Sequence, residues 1–321
     1  MTCSCLGRRG RIAAKCLVVT MVLLTVLGVP VAAANDSAGT TGYGFLKVGV
    51  GARPAALGGA FAAVEGDVEG SSWNPAGLAG IRQRTAALSM TSYLVDTEAG
   101  FVGVAAPRGT RTWAATVTYF SYGQMRETDA NGQDLGSFGA ADLAVGTSVA
   151  QSVWGSHASL GATAKAVYSS LGDYSSDAYM VDLGLLLRGP VTGMAWGASI
   201  SNLGFVRQGY AGGYKDSLPV GLRLGFCHRP AHAPLPLLLV ADAVLPNDGD
   251  AYFAAGAEVR LPRGLYLRPG YSTQPTGSTG DDPLGLTCGL GVALHRYHLD
   301  YAFASYPDLG DVHRVTLAGA F

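Results

Sequence analysis

The sequence predicts an all-β protein: a closed transmembrane antiparallel β-barrel of about 14 strands, with a small N-terminal helical hatch, or plug, inside the lumen. Three observations lead to this fold class. Glycine supplies 46 of 321 residues, and charged residues only 14%, against roughly 25% in ordinary soluble domains. Segments of about ten residues alternate in polarity. Shorter and longer connections alternate along the chain, as they do in barrels that cross a membrane.

Composition alone leaves a sandwich, a solenoid and a barrel open. Hydrophobic residues make up 48% of the chain, yet no apolar run after residue 34 approaches the roughly 18 residues that a membrane helix needs. The connections favour the barrel. Short ones at 107–110, 189–192 and 261–263 alternate with longer ones at 123–137, 204–217 and 273–283, and 228–236 is the exception.

Residues 1–34 have the pattern of a secretory signal peptide. An apolar stretch at 16–29 precedes the small-residue cleavage site Ala32-Ala33-Ala34 and follows the basic residues Arg8, Arg9, Arg11 and Lys15. An uncleaved membrane anchor is the alternative, for which the apolar stretch is short. We expect a mature chain from Asn35, with a plug segment at 35–84 and the barrel at 85–321.

Residues 51–80 alone carry a helical rhythm after the signal peptide. Pro54 suits a first helical turn, and a stop is expected near Gly66. The face that this rhythm predicts is narrow and smooth, because small residues recur at three- and four-residue steps: Ala55, Ala56, Gly59, Ala60 and Ala63. Such a helix buries little apolar surface and needs a wall to pack against. The residue pattern leaves open whether it caps a β-domain or plugs a barrel.

Fourteen alternating segments follow. We predict strands near 85–94, 97–106, 111–121, 139–150, 156–169, 176–188, 193–203, 218–228, 236–246, 251–260, 264–273, 284–294, 296–305 and 311–321. Candidate residues for aromatic girdles are Tyr93, Trp113, Tyr119, Tyr168, Tyr179, Trp196, Tyr271, Tyr297 and Tyr306. The two remaining cysteines, Cys227 and Cys288, have opposite strand parity, so we expect both to be free thiols.

Strand parity also places a set of charged side chains opposite the apolar faces. They are Asp142, Lys165, Asp182, Arg223, Asp242, Glu258, Arg260, Arg268, His298 and Asp300. An Arg or Lys facing lipid at mid-bilayer costs about 2–4 kcal/mol, so we expect these groups to point into the lumen. There they either pair and hold the plug, or line a polar pathway and contact a ligand.

Several functions lack sequence support. Four of the 22 basic residues and none of the 23 acidic ones precede residue 35, so the mature chain is acidic, with no basic cluster for nucleic acid. No G-x-S-x-G, C-x-x-C, H-E-x-x-H or phosphate-binding G-x-x-x-x-G-K motif occurs. We therefore expect no catalytic residues, no metal and no cofactor.

The stretch 45–79, FLKVGVGARPAALGGAFAAVEGDVEGSSWNPAGLA, resembles the N-terminal signature of the PorV/PorQ family, within the FadL-type group of outer-membrane transport proteins. A second region of similarity lies near the other end of the chain, in 256–258, 267–271, 299–302 and 309–314, whereas between the two ends only the strand rhythm matches. The Asn74-Pro75-Ala76-Gly77 turn is similar to the NPA turn of FadL-type hatches, which implies a gating role. The C-terminal stretch ending at Phe321 resembles the signal that the barrel assembly machinery recognises.

The resemblance implies a protein in the bacterial outer membrane, surrounded by its lipid and without enzymatic activity. One implied function is passive transport of hydrophobic small molecules across that membrane. The alternative is a secretion component that binds or shuttles exported proteins, as PorV-like members do in type 9 secretion. The polar outer loops do not resemble a dedicated fatty-acid porter.

Overall fold

A computed structural model describes residues 39–95, 97–154, 157–210, 213–274, 285–306 and 310–321. The predicted signal peptide and its cleavage point lie outside these residues, as does most of the predicted 273–283 connection. Within the described ranges, no helix has the length and apolar character to cross a membrane.

Fourteen antiparallel strands form a closed barrel in which each strand pairs with its neighbours in the chain and β1 also pairs with β14. This confirms the predicted architecture. The strands are β1 Thr85–Ser92, β2 Glu98–Arg108, β3 Arg111–Thr128, β4 Asp134–Val153, β5 Ala158–Leu171, β6 Tyr174–Arg188, β7 Met194–Gln208, β8 Gly221–His228, β9 Leu237–Pro246, β10 Tyr252–Arg260, β11 Leu265–Ser272, β12 Leu286–Leu294, β13 Tyr297–Tyr306 and β14 Gly310–Ala320.

The outer surface of the barrel is apolar and the inner surface is packed. Leu88, Val102, Leu290, Leu299 and Leu317 point outward and stay 47–56% exposed, whereas the residues between them on each strand are mostly buried. Continuous backbone pairing around a closed sheet leaves no unpaired edge, which a strand structure needs in lipid. The apolar exterior and the closed barrel together place the protein in the bacterial outer membrane.

Aromatic side chains lie at two levels of the outer surface. Trp113, Trp196 and Tyr297 lie near the end with the shorter turns, and Tyr119, Tyr168, Tyr179 and Tyr271 lie toward the other end. Interfacial positions suit these half-apolar rings. Two predicted girdle residues are not part of this surface: Tyr93 and Tyr306 line a cavity inside the barrel.

The two ends of the barrel differ in their connections. The short-turn end carries the turns after the even-numbered strands. Thr85 pairs there with Ala320, so the first strand begins and the last strand ends at this same end of the barrel. The long-loop end carries the connections after the odd-numbered strands, including 209–220. Since outer-membrane barrels have short periplasmic turns, the long-loop end faces outward.

The predicted long connection at 123–137 is wrong, because most of it is strand. β3 and β4 remain paired beyond a bulge between Ser121 and Gln124, and their hairpin turns at Asp129. The carboxylate of Asp129 accepts hydrogen bonds from the N–H groups of Asn131 and Gln133, at 2.9 and 2.8 Å. Nearly all side chains of this hairpin are exposed. A ribbon with solvent on both faces has no alternation in polarity, so the pattern that revealed the other strands is absent here.

The segment before β1 runs through the lumen from the long-loop end to the short-turn end. Near its start, the Gly42 N–H donates to the Ser217 carbonyl at 3.0 Å, and it joins β1 after Arg84. One apolar cluster packs Leu57, Phe61 and Val64 against wall residues such as Leu186 and Val240. We call residues 41–50 the strap and residues 51–81 the plug.

The predicted helix along this stretch is wrong in extent. Helix α1 spans only Ala52–Ala56, and the rest is irregular backbone with 3-10 helices at Glu69–Ser72 and Pro75–Gly80. Gly58 and Gly59 adopt φ angles of 70° and 83°, which L side chains disfavour. The plug takes its hydrogen-bond partners from the wall instead of continuing the helix.

The two described cysteines are both free, as predicted from their parity. Cys227 is buried inside the barrel and Cys288 is exposed on its outer face.

The barrel makes a depth-dependent prediction for outward leucines on one strand. Leu290 lies at the middle of β12, and Leu294 ends that strand opposite the girdle residue Tyr297. We expect Leu290→Arg to reduce the free energy of unfolding in lipid vesicles by about 2–4 kcal/mol, and Leu294→Arg by about 0–1 kcal/mol, because cationic side chains cost less near the interface. Reversible urea unfolding measures both. Equal losses for the two variants would contradict the position of the apolar band.

Candidate functional site: the lumen and its plug

The Asn74–Gly77 turn binds the wall through the Asn74 side chain. Asn74 is 1% exposed. Its Oδ1 accepts from the Ala76 N–H at 3.0 Å, while its Nδ2 donates to the carbonyls of Ala62 at 2.6 Å and Leu185 at 3.0 Å. Its backbone is extended, with a φ of −154°. Asn74 therefore acts through its amide, which joins two parts of the plug to β6.

Two wall glycines let this turn approach the sheet. A Cβ atom built on Gly184 would lie 2.1 Å from Asn74 Oδ1, and one on Gly161 would lie 2.3 Å from the Ala76 nitrogen. Separations this short do not occur between such atoms, so only glycine admits the turn at these positions. The high glycine content of the sequence thus has a structural cause at these two wall positions.

Asp242 and Arg223 hold the middle of the plug. Asp242 Oδ2 accepts from the N–H groups of Phe61 and Ala62, at 2.9 and 3.0 Å. The Arg223 Nη1 atom lies 3.4 Å from the same oxygen and donates to the Gly59 carbonyl at 2.9 Å. The guanidinium also lies 4.8 Å from the centre of the Trp73 ring, within the range of a cation–π contact. Both charged side chains of the wall therefore form hydrogen bonds with backbone groups of the plug.

A chain of four alternating charges anchors α1. Arg53 of the plug donates to Glu258 at 2.7 and 2.9 Å, Arg268 donates to the same carboxylate at 2.7 Å, and Arg268 also reaches Asp300 at 2.6 Å. Arg268 is 3% exposed. Since an isolated buried charge is costly, the sequential pairing accounts for this set of lumen charges within the described chain.

The remaining predicted lumen residues form separate groups. Lys165 lies 2.9 Å from Asp182 and donates to the Asn202 amide oxygen at 2.5 Å. Asn202 adopts a left-handed φ of 62° at a bulge in β7. Asp142 accepts from the Tyr122 hydroxyl at 2.8 Å and from Ser169.

Arg260 and His298 join none of these groups. Both lie exposed near the short-turn end, beside Tyr266. The Arg260 Cζ atom lies 5.8 Å from the centre of the Tyr266 ring, and the centre of the His298 ring lies 6.4 Å from it. Phe321, the expected assembly signal, follows β14 and is 67% exposed. Its N–H donates to the Arg84 carbonyl at 2.8 Å, beside the seam between β1 and β14.

Sequence reasoning missed several groups that contact the plug. Thr287 Oγ1 accepts from the Gly58 N–H and donates to the Ala56 carbonyl, both at 3.0 Å. Thr316 likewise accepts from the Ala52 N–H at 2.9 Å and donates to Glu69 at 2.7 Å. The alternation of β12 and β14 places both threonines on the inner face. Because they are uncharged, nothing in the sequence marked them as contacts of the plug.

Glu69 is a buried carboxyl of the plug, with 2% of its surface exposed. Burial raises its pKa well above the usual range, and the nearby charge of Asp67 adds to the effect. Its hydrogen bond from Thr316 acts in the opposite direction without reversing it.

The strap has its own anchor at the long-loop end. Asp248, in the connection after β9, accepts hydrogen bonds from Thr41 and from Lys47, the latter at 2.7 Å. Burial alone would raise the pKa of Asp248, but the hydrogen bonds from Lys47 and Thr41 hold it below its usual value. Tyr43 and Phe45 add apolar contacts to Phe120 and Met180 of the wall.

A cavity of about 660 Å³ lies in the outer half of the lumen, between the strap, the plug and the wall. Its lining mixes hydroxyl-bearing, charged and aromatic side chains, among them Trp73, Tyr93, Lys165, Tyr306 and Arg314. No group of three or more His, Cys, Asp or Glu side chains is placed to hold a metal ion in the part of the chain that the structure covers.

The fold is similar to that of solved hydrocarbon transport proteins. The crystal structure of the Ralstonia pickettii toluene transporter TbuX matches with a TM-score of 0.64 and 16% identity, over 85% of this chain and 98% of that one. A deltaS2 mutant of the TodX monoaromatic hydrocarbon channel matches with a TM-score of 0.60 and 13% identity, over 84% and 97%. No protein-family model and no curated protein sequence matches the chain. The solved relatives named here are a transporter and a channel, not enzymes, and at these identities the likeness concerns the fold.

The wall glycines beneath the plug turn make a steric prediction. We expect Gly184→Ala to displace the Asn74–Gly77 turn, because the added Cβ and the Asn74 amide cannot both fit. The change would appear as faster cleavage of the plug by added protease in the detergent-solubilised protein. Gly100→Ala is the matched control, since an added Cβ on that wall glycine meets nothing within 4 Å. Equal cleavage of the two variants would refute the close seating of the turn.

The strap makes a pH prediction through Asp248. Because the folded-state pKa is lowered, the contribution of this carboxylate is present above its unfolded pKa of about 3.9 and is lost as the pH falls through the folded value. A spin label at Gly44→Cys, in a chain with Cys227→Ser and Cys288→Ser, should become mobile on acidification below about pH 4.

Asp248→Asn should make the same label mobile already at pH 7, because it removes the charge that pairs with Lys47. Asp173→Asn, in an exposed connection at the same end of the barrel, should have no effect. A label that remains immobile in Asp248→Asn would show that the apolar contacts of Tyr43 and Phe45 hold the strap without the ion pair.

Proposed function

We propose that the protein is an outer-membrane channel for passive transport of hydrophobic small molecules, without enzymatic activity. The observation that carries this proposal is the cavity of about 660 Å³ between the N-terminal segment and the barrel wall. Its size lies in the range of small-molecule sites. The fold shared with a toluene transporter and a monoaromatic hydrocarbon channel supports the same class of cargo.

In this proposal the strap and the plug are the two barriers along the path. A molecule that enters from the long-loop end passes the strap and occupies the cavity. Movement of the plug at Asn74, Pro75, Ala76 and Gly77 then opens a way onward, either to the periplasmic end or sideways to the bilayer. No energy source acts on this path, so affinity and the concentration gradient determine the direction.

The stretch 45–79 supports membership of the PorV/PorQ family within this proposal. Its wall contacts explain its residue types: small residues allow approach to wall glycines, and Asn74 supplies the amide that bridges plug and wall. Phe321 is exposed beside the seam, which suits recognition by the barrel assembly machinery during insertion.

A second candidate function is the binding of an exported protein. The β3–β4 hairpin favours it, because the hairpin extends the barrel wall with exposed, largely polar side chains at 122–138. Under this alternative, shortening the hairpin would abolish retention of a secreted protein but leave uptake of small molecules intact. The opposite result would favour the channel.

The channel proposal predicts the effect of removing the bridging amide. Asn74→Ala leaves the Ala62 and Leu185 carbonyls and the Ala76 N–H without that partner, and each buried unpaired group costs about 1–3 kcal/mol. We expect a looser plug and severalfold faster entry of radiolabelled toluene into outer-membrane vesicles.

The matched control is Asn131→Ala, which changes the same residue type in the exposed tip of the β3–β4 hairpin. It should take up toluene at the wild-type rate. If Asn74→Ala and the wild type admit toluene equally fast, the turn has no gating role. If neither admits toluene faster than vesicles without the protein, the channel proposal fails.

A further inference from the structure

Arg314 differs from the other buried arginines of the lumen. It lies on β14 between Ala302 of β13 and Thr91 of β1, and is 7% exposed. Its Nε atom is buried and has no hydrogen-bond partner. In contrast, Arg53, Arg223 and Arg268 each pair with a carboxylate. Among the residues that the structure describes, Arg314 has no carboxylate oxygen within 4 Å.

The plug carboxyl of Glu69 does not pair with Arg314. It accepts a hydrogen bond from Thr316 at 2.7 Å, and neither of its oxygens lies within 4 Å of the guanidinium. An uncompensated guanidinium in a membrane protein's interior is expensive, and such groups mark binding sites or pathways. Among the described residues, none pairs with the charge of Arg314, and the side chain lines the cavity.

The surroundings of Arg314 indicate the chemistry of that partner. Arg314 lines the cavity together with Tyr93 and Tyr306, at the end where the cavity approaches the long loops. Ala304 adds apolar surface to the same lining. A guanidinium binds a carboxylate through two parallel hydrogen bonds. The two neighbouring tyrosine rings favour a ligand whose remaining part is apolar.

We propose that Arg314 is the anchor of a binding site for compact apolar monocarboxylates, of the size of phenylacetate, within the cavity. The strap limits the length of the ligand, because residues 44–50 all line the cavity. The tyrosines contact the ring, and the carboxylate replaces the missing partner of the guanidinium. This inference rests on the proposed channel function and names a substrate class for the same cavity.

Binding of matched ligands to the full-length mature protein in detergent tests this proposal. Phenylacetate and its uncharged counterpart phenylacetamide share a ring and differ in charge, and calorimetry at pH 7 gives both dissociation constants. We expect the wild type to bind phenylacetate at least tenfold more tightly. Arg314→Gln should remove that preference. Arg314→Lys keeps the positive charge but cannot donate two parallel hydrogen bonds, so it should retain part of the preference.

Two controls separate this site from general effects. Arg126→Gln changes an exposed arginine of the β3–β4 hairpin and should bind both ligands as the wild type does. The heat-modifiable mobility of each variant on gels confirms an intact barrel. The proposal is overturned if Arg314→Gln keeps the wild-type preference, if the wild type has none, or if hexadecanoate binds more tightly than phenylacetate.

Toluene uptake distinguishes this inference from the channel function. If Arg314→Gln admits toluene at the wild-type rate and loses only the preference for phenylacetate, both proposals stand. If the wild type admits toluene but shows no preference for phenylacetate, the carboxylate site falls and the channel remains. If neither compound enters, the channel function falls.

Discussion

The structure depends first on the closure of β1 against β14. A strand that crosses a bilayer has no water for its N–H and C=O groups, so each must pair with a neighbouring strand. Closure with fourteen strands satisfies that demand and also fixes the size of the lumen. The N-terminal segment must then fit a space it does not define. Its small residues, and the glycines opposite them on the wall, follow from that restriction.

Within this fixed lumen the plug exchanges helical hydrogen bonds for bonds to the wall. Asp242, Thr287 and Thr316 each accept from plug N–H groups, and the Asn74 amide donates to a wall carbonyl. These directional contacts fix the position of the plug against the wall. The plug is held by a few directional hydrogen bonds and by the apolar cluster around Phe61 and Leu186. Because the hydrogen bonds are few, the loss of one of them weakens the attachment of the plug to the wall.

The strands could be predicted from the sequence because lipid requires an apolar residue at every second position. The same rule predicted the inward charges, from Asp142 to Asp300. It failed where that requirement ends, because the β3–β4 hairpin has solvent on both faces. The plug was mistaken for a longer helix because small residues at helical spacing also serve close approach to a wall. Only the wall determines which of these two roles applies.

Parity identifies inward charges but not their partners, and the partners decide what each charge does. Arg268 and Arg314 have the same residue type, the same inward direction and similar burial. Arg268 lies between Glu258 and Asp300 and is thereby part of the structure that holds α1. Arg314 lies beside uncharged neighbours on β1 and β13, next to a cavity. A charge whose pairing is complete stabilises the plug, whereas the charge of Arg314 has no partner among the described residues and faces the cavity. The difference arises from strand register, which places residues distant in sequence side by side and which no local pattern records.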